Sequence, residues 1–481
     1  MTTGSIPRER GSFHIGIAGA GLLGRLLAFG LLRQGHRVSL FDPAPGLTQA
    51  PAAGDPARAA AWTAAGMLSP TAELECANED VFQLGLVSLR LWPAIVDTLR
   101  HDGHAVALSQ AGSLLLAHRG DEGAARRVVE LLSKKAPPAH APKALTTPEL
   151  KTLEPDIHGP AQGWLLPYEG HIHTVQAMTA LGAWLLAHGA VFQGGGAGRV
   201  LALAPGELRT AQGVHRFDHV FDVRGVGARA TLPVRGVRGE IFWLHAPGVG
   251  LQRPVRLLHP RWRVYVVPRP GDTVVVGATE IESEDRSPVS LRSTLELLSA
   301  AHSVLPGLAE ARIVHSESNL RPALPDNLPG TTHQPGLTGI NGLFRHGWLI
   351  APALVEQALA GLTGLAMPTH TPSPSSPPPF FVAQTPPPPP PPPPQPPPPP
   401  PPPCAPGHHR QRQPMRPRHA DRAGQRPASD RARWHFAGRL AARPAPTRAS
   451  GGHGRQRHVC GPRAPGTAGA AARRQIGRAH V

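Results

Sequence analysis

Apolar and polar positions change period several times along this chain. Phe13 to Ala18 is a short apolar run, Leu22 to Leu32 a longer one closed by Gly35, and Val38 to Phe41 a second short run ending on a carboxylate, Asp42. Runs of these lengths, bounded by glycine, predict buried strand, helix and buried strand. Helical spacing returns at Val81 to Leu99, Asp121 to Lys134, Thr147 to Leu153, Thr174 to His188, Val289 to Val304 and Ala351 to Ala366. Pro352 is expected in the first turn of the last of these, where its missing N–H is not needed. Short extended runs are predicted at Val106 to His118 (two strands around Gly112), Gly163 to Leu166, Val191-Phe192, His219 to Val223, Arg238 to His245, Val264 to Arg269 and Thr273 to Thr279. Pro270-Gly271-Asp272 joins the last two as a hairpin.

Alternating helices and strands at the N-terminus, followed by antiparallel runs, predict an α/β protein. It has a Rossmann-type nucleotide-binding domain and a second, mixed antiparallel-sheet domain. The expected boundaries are 12–80, 150–232 and 321–366 for the first domain and 81–149 and 233–320 for the second. Within the first, Gly19, Gly21 and Gly24 fall at the three positions of GxGxxG between strand and helix. There they give a tight turn, close approach of backbone to a pyrophosphate, and close helix-to-strand packing. Leu22 and Leu23 would offer helix N-terminal N–H groups to that anion. Asp42 could accept both ribose hydroxyls. The alternative reading of the same stretch is an ordinary strand-to-helix turn.

The net charge of +17 suggests an anionic partner until its distribution is considered. Residues 1–366 carry 32 Lys and Arg against 30 Asp and Glu, and residues 367–481 carry 17 against 2. The basic excess therefore belongs to the C-terminal stretch, where residues 386–403 are proline apart from Gln395. Such a composition predicts a polyproline II rod and a disordered basic tail rather than a domain. A nucleic-acid-binding arm is the functional alternative, but beyond the proline run only Trp434 and Phe436 are available for base stacking. The tail also reads as the out-of-frame continuation of a gene that slipped in a cytosine-rich run. Cys76, Cys404 and Cys460 have no metal-ligand spacing, which suits a reducing cytoplasm. His171 and His173 alternate, but with no third ligand in reach they read as a solvated strand, and no metal is expected. No signal peptide or 18-residue apolar span is apparent, so a soluble cytoplasmic protein is expected.

Several further segments, taken in order, resemble the D-amino-acid oxidase superfamily, most closely the thiamine-pathway glycine oxidases. They are Ala64-Ala65-Gly66-Met67-Leu68, Tyr265-Val266-Val267-Pro268-Arg269, Val276-Gly277-Ala278-Thr279, Leu320-Arg321-Pro322, and Phe344-Arg345-His346-Gly347 followed by Ala351-Pro352. The resemblance covers about residues 13 to 366 and implies FAD rather than NAD. It implies that Ala65, Gly66 and Met67 line the flavin and that Gly225 belongs to the cofactor site. Leu343, Phe344, His346, Gly347, Trp348 and Leu349 are implied to present backbone N–H groups near the flavin C2 carbonyl. A helix N-terminus there would stabilise the anionic reduced ring.

Substrate roles are implied one residue at a time. Arg321 matches an arginine that clamps the substrate carboxylate, a task suited to a planar two-donor fork. Tyr265 matches a tyrosine that donates to the same carboxylate, and Arg345 a second, less direct substrate-site arginine. Without the resemblance, each arginine reads as a salt-bridge residue. Arg263 and Glu280 stand where relatives can carry histidine and methionine. The implied reaction is oxidation of glycine or another small amino acid by hydride transfer, with dioxygen as acceptor and no side-chain base. A dehydrogenase of the same fold using another acceptor is the alternative. The family often forms homo-oligomers, and no membrane or nucleic-acid partner is expected.

Overall fold

The computed structural model describes residues 12–259 and 263–364. The proline run and basic tail lie outside the described residues, as does the end of the closing helix beyond residue 364.

The first sheet grows from the N-terminal runs. His14–Ala18 lies at its centre, paired in parallel with Arg37–Phe41 on one side and His219–Asp222 on the other. Val191–Gln193 extends one edge in parallel, and Leu337–Asn341 followed by the antiparallel Gly330–Gln334 extends the other. Ile15, Ile17, Val38, Leu40 and Phe221 are almost wholly buried. Parallel strands covered on both faces have this continuous apolar character. The helices Leu22–Arg33, Glu79–His101, Thr174–Ala187 and Gly347–Gly364 share one core with these strands. A small antiparallel meander, Ala202–Ala204, Glu207–Thr210 and Gly213–Arg216, places Leu208 against Ala18 and Phe41.

The second sheet has eight strands. Their order is Arg312–Ala323, Arg235–His245, Thr273–Gly277, Arg263–Arg269, Val255–Leu258, Ser113–Ala117, Gln162–Leu166 and Lys143–Leu145. Only the Val255–Leu258 and Ser113–Ala117 pair is parallel. Strand alternation sorts its residues. Val264, Val266, Val274 and Val276 pack on the helix Leu291–Val304, whereas Ile241, Val267, Val275 and Tyr265 face the Ala65 loop. The period-2 pattern thus decides that Tyr265 points away from the helix-covered face.

Four expectations need correction. The strand Gln162–Leu166, expected in the nucleotide domain, lies inside the second sheet between two of its strands. The helix Glu79–His101, expected in the second domain, buries Val81, Leu89, Trp92, Val96 and Leu99 in the nucleotide-domain core. Each buries its apolar face where a partner exists, whatever its place in the chain.

The closing helix begins at Gly347, so Pro352 lies inside it rather than in its first turn. The Trp348 carbonyl, which Pro352 cannot serve, instead accepts from Trp92 Nε1 at 3.0 Å. Next to it, the Ala353 N–H donates to Ser88 Oγ at 3.1 Å. The tertiary partners make this internal proline tolerable. Finally, His171 and His173 are not a solvated strand. His171 is buried in Gly170–Ile172 opposite Met67, and His173 caps the helix Thr174–Ala187 by accepting from the Gln176 N–H. Burial, reinforced by Arg269 and by one another's charge in the case of His171, pushes them down to about 3 and about 4. Among the described residues no group of three or more metal-ligating side chains occurs.

Candidate active site

Between the ends of the first sheet and the Tyr265 face of the second lies a cavity of about 1170 Å³. Every residue singled out above for cofactor or substrate lines it, except Gly24. Gly24 acts from behind the wall: a Cβ there would lie 1.9 Å from the Gly19 carbonyl oxygen. Only glycine lets the helix start this close to the turn.

The nucleotide end is built from backbone. Gly19 has φ +103 and ends the first strand, its N–H bonded to the Phe41 carbonyl at 2.8 Å. The helix Leu22–Arg33 then starts at Gly21 with no capping side chain and no acid in its first turn. Its first N–H groups are left to an anion from the cavity, as a pyrophosphate requires.

Asp42, expected to contact a ribose, has a structural task in the turn. Its Oδ2 accepts the Ala20 N–H at 2.6 Å and its Oδ1 the Ala44 N–H at 2.8 Å, so it ties the glycine turn to the second strand. Each oxygen retains one acceptor direction. Burial pushes this carboxyl up, against those two N–H groups and Arg25. Arg25, itself buried, braces the turn from the helix by donating to the carbonyls of Ala20, Leu47 and Met178. Its place among the apolar residues of the helix gave no sign of that task.

In the middle of the cavity the Ala65 carbonyl accepts from Arg269 Nη2 at 2.5 Å, and Ile172 N–H bonds the Gly66 carbonyl at 2.9 Å. Gly66 has φ +66, and a Cβ there would lie 2.2 Å from the Ile172 carbonyl oxygen. The loop is thereby anchored from both sides, and Ala65, Gly66 and Met67 line the cavity. Opposite it, Phe344 takes φ +48 at the turn before Gly347–Gly364, so this helix also begins at the cavity wall.

The substrate end is built from side chains, and the three expected residues do not play equal parts. Arg345 donates from Nε and Nη2 to Glu73 Oε2 at 2.9 and 2.8 Å, and from Nη1 to Glu280 Oε2 at 3.1 Å. Glu73 also receives His346 Nε2 at 3.1 Å and, on Oε1, Arg256 Nη2 at 3.1 Å. Burial opposes the Glu73 charge most strongly. Arg345, the hydrogen bond and charge of His346, and Arg256 together outweigh it and hold the carboxyl well below its usual range.

Arg321 is different. Its Nη1 donates to the carbonyls of Thr279 and Arg238 at 3.0 and 3.3 Å, and among the described residues no carboxylate forms an ion pair with it. Burial lowers its pKa most, against the opposing effects of Tyr265, Glu280 and Glu73, with the neighbouring Arg345 adding to the lowering. Tyr265, close enough to feel this charge, is itself pushed up by burial. The salt-bridge alternative for the two arginines therefore holds for Arg345 and fails for Arg321. Glu73 and Arg256 were not foreseen. Glu73 follows the flavin-loop motif by a few residues and Arg256 interrupts an apolar strand, but only the fold brings them together. The side chain of Arg263 lies outside the described residues.

The family described as FAD dependent oxidoreductase matches residues 14–358. A Rhizobium etli protein named as a thiamine biosynthesis oxidoreductase, ThiO, is 36% identical over 343 residues, spanning 71% of this chain and 94% of that protein. The crystal structure of glycine oxidase from Geobacillus kaustophilus superposes with a TM-score of 0.61 at 26% identity, covering 74% of this chain and 96% of that one. An iminodiacetate oxidase from Chelativorans gives a TM-score of 0.61 at 25% identity, covering 74% and 97%. The uncapped helix N-terminus at Gly21, the anchored Ala65–Met67 loop and the size of the cavity suit FAD. With most of its described length inside that match, the chain belongs to the FAD dependent oxidoreductase family.

Proposed function

We propose that the protein oxidises glycine or another small amino acid to the imine, with release of ammonia and a 2-oxo acid on hydrolysis and formation of hydrogen peroxide from dioxygen. The single observation that carries this reading is Arg321, a partly buried guanidinium on the cavity wall that forms no ion pair with a carboxylate among the described residues. A cation partly withdrawn from water, with donors left over, favours an anionic partner, and a planar carboxylate fits its fork. The names of the Rhizobium and Geobacillus relatives support an amino acid as that partner and thiamine biosynthesis as the setting. No helix among the described residues is long and apolar enough to cross a membrane, which is compatible with a cytoplasmic enzyme.

The glycine turn and the Ala65 loop would hold FAD, which when bound would supply a two-electron acceptor for the substrate Cα hydride. The protein's own contribution is orientation. Arg321 and Tyr265 fix the carboxylate, so the Cα–H has one direction available. Glu73 is held ionised by three donors and is unsuited to take a proton, in keeping with a reaction that needs no side-chain base. The helix beginning at Gly347 starts at the cavity wall, and its first N–H groups would favour negative charge on the reduced cofactor.

The test is the visible spectrum of the purified protein on anaerobic addition of glycine. Bleaching that reverses in air with peroxide release is expected. Bleaching with reoxidation only by an artificial acceptor would make it a dehydrogenase. Unchanged bands with glycine, sarcosine and D-alanine would remove the amino-acid reading.

A further inference from the structure

We propose that Glu280 sets the charge selectivity of the substrate end: its carboxylate occupies, on Arg345, the place that a second acidic group of a substrate would take. The protein thereby accepts amines with one carboxylate and turns away those with two. This rests on the amino-acid-oxidising reading above and names the substrate class more narrowly.

Five charged side chains meet here: Arg256, Arg321 and Arg345 against Glu73 and Glu280, and all five line the cavity. They leave a single positive charge, and the hydrogen bonds place it on Arg321, because both carboxylates are spent on the other two arginines. One substrate carboxylate neutralises the cluster. A second would enter a neutral cluster beside Glu280, a repulsive element of the kind that gives specificity.

The two glutamates are not equivalent. Glu73 is buried and accepts from Arg256, Arg345 and His346, so it is part of the frame. The Glu280 side chain is 49% exposed, and its one ion pair among the described residues is to Arg345 Nη1. A half-exposed pair of that kind is weak and exchangeable. Removing the Glu280 charge would free the Nη1 edge of Arg345 on the cavity wall. Arg256 Nε, buried and without a partner, is a further donor close by. The cluster would then carry two net positive charges, matching a dicarboxylate.

The experiment uses two matched pairs of ligands with flavin-loaded full-length protein. Iminodiacetate and N-ethylglycine share a carboxymethylamine and differ in whether the second arm ends in carboxylate or methyl. Diglycolate and ethoxyacetate are the corresponding ethers, which lack the amine and report equilibrium binding through the flavin absorbance. Wild type should favour the monocarboxylate of each pair. In Glu280→Gln the ratio of dicarboxylate to monocarboxylate, in kcat/KM for the amines and in affinity for the ethers, should rise by about tenfold or more. In Glu280→Gln combined with Arg345→Met the rise should vanish, because Arg345 receives the second carboxylate. If Glu280→Gln retains no flavin, Glu280→Met serves for the same ratios.

Ratios within about twofold of wild type, well inside the effect of a direct charge contact, would overturn the proposal. Discrimination between the ethers by a protein that oxidises no amine would sink the amino-acid reading and leave the charge selectivity standing. Oxidation of both amines with ratios unmoved by the substitution would do the reverse.

Discussion

The two ends of the cavity are made differently. At the nucleotide end the contacts come from backbone over a single stretch, Gly19 to Asp42, and the side chains that matter are mostly absent ones. At the substrate end the contacts come from side chains delivered by distant segments: Glu73 and Arg345 are 272 residues apart, and Glu73 and Arg256 183. A pyrophosphate is a constant, symmetrical anion, so a fixed local backbone suits it. A substrate differs between relatives, and a site assembled from exchangeable side chains can change one contact at a time. Glu280, half-exposed and held by one ion pair to Arg345 among the described residues, is such a contact.

The largest effect should come from the backbone end. Gly24→Ala puts a Cβ 1.9 Å from the Gly19 carbonyl oxygen, so the turn must open. The variant should purify without flavin absorbance, and retention of a full complement would show that the turn tolerates displacement. Next is Arg321→Met, which removes the cation without a carboxylate but leaves the cofactor wall alone. Losing two charge-assisted hydrogen bonds should lower kcat/KM about a thousandfold, about 4 kcal/mol, with normal flavin content. Unchanged steady-state kinetics would take Arg321 out of the substrate site.

A third variant, Glu73→Gln, probes the frame of the substrate end. Withdrawing the counter-charge from Arg256 and Arg345 should cost about 3 kcal/mol of stability near neutral pH, measured by urea unfolding. The pH dependence has a definite sign. Glu73 is depressed below its ordinary 4.5 in the fold, so its contribution is complete above that value and lost as pH falls through the lower folded value. The gap between wild type and Glu73→Gln should therefore narrow in acid, and a constant gap would argue for a packing effect instead. The smallest effect expected is that of Trp92→Phe. It strips the Trp348 carbonyl of the donor that replaces the N–H missing at Pro352. A loss of about 1–3 kcal/mol is expected, with flavin bound more weakly because the helix starting at Gly347 forms part of its wall.

Much of the elements' extent was legible from periodicity. The Thr147–Leu153 helix is found where its spacing predicts, as is the hairpin at Pro270-Gly271-Asp272, because both are fixed by local chemistry. The capping box of Thr146 and Glu149 is an interaction three residues long. The meander at 202–216, the Val255–Leu258 strand, the Arg312–Ala323 edge strand and the hairpin at 330–341 were missed. Short mixed runs such as Val255-Arg256-Leu257-Leu258 carry no decisive period, and their pairing partners, not their residues, make them strands. The helix Glu79–His101 was recognised as a helix but assigned to the wrong core, since an apolar stripe does not say what it packs against.

The sequence alone determined the dinucleotide turn, because three glycines, a strand and a helix in one continuous stretch leave the backbone little choice. It also located Tyr265, Arg321 and Arg345 through their resemblance to a family. What each arginine is free to do was decided only by the tertiary structure. Arg345 is spent on Glu73 and Glu280, and Arg321 is not, because the fold brings two carboxylates to one guanidinium and only carbonyls to the other. A guanidinium is always charged, so its availability depends on its neighbours, and neighbours separated by hundreds of residues are set by topology.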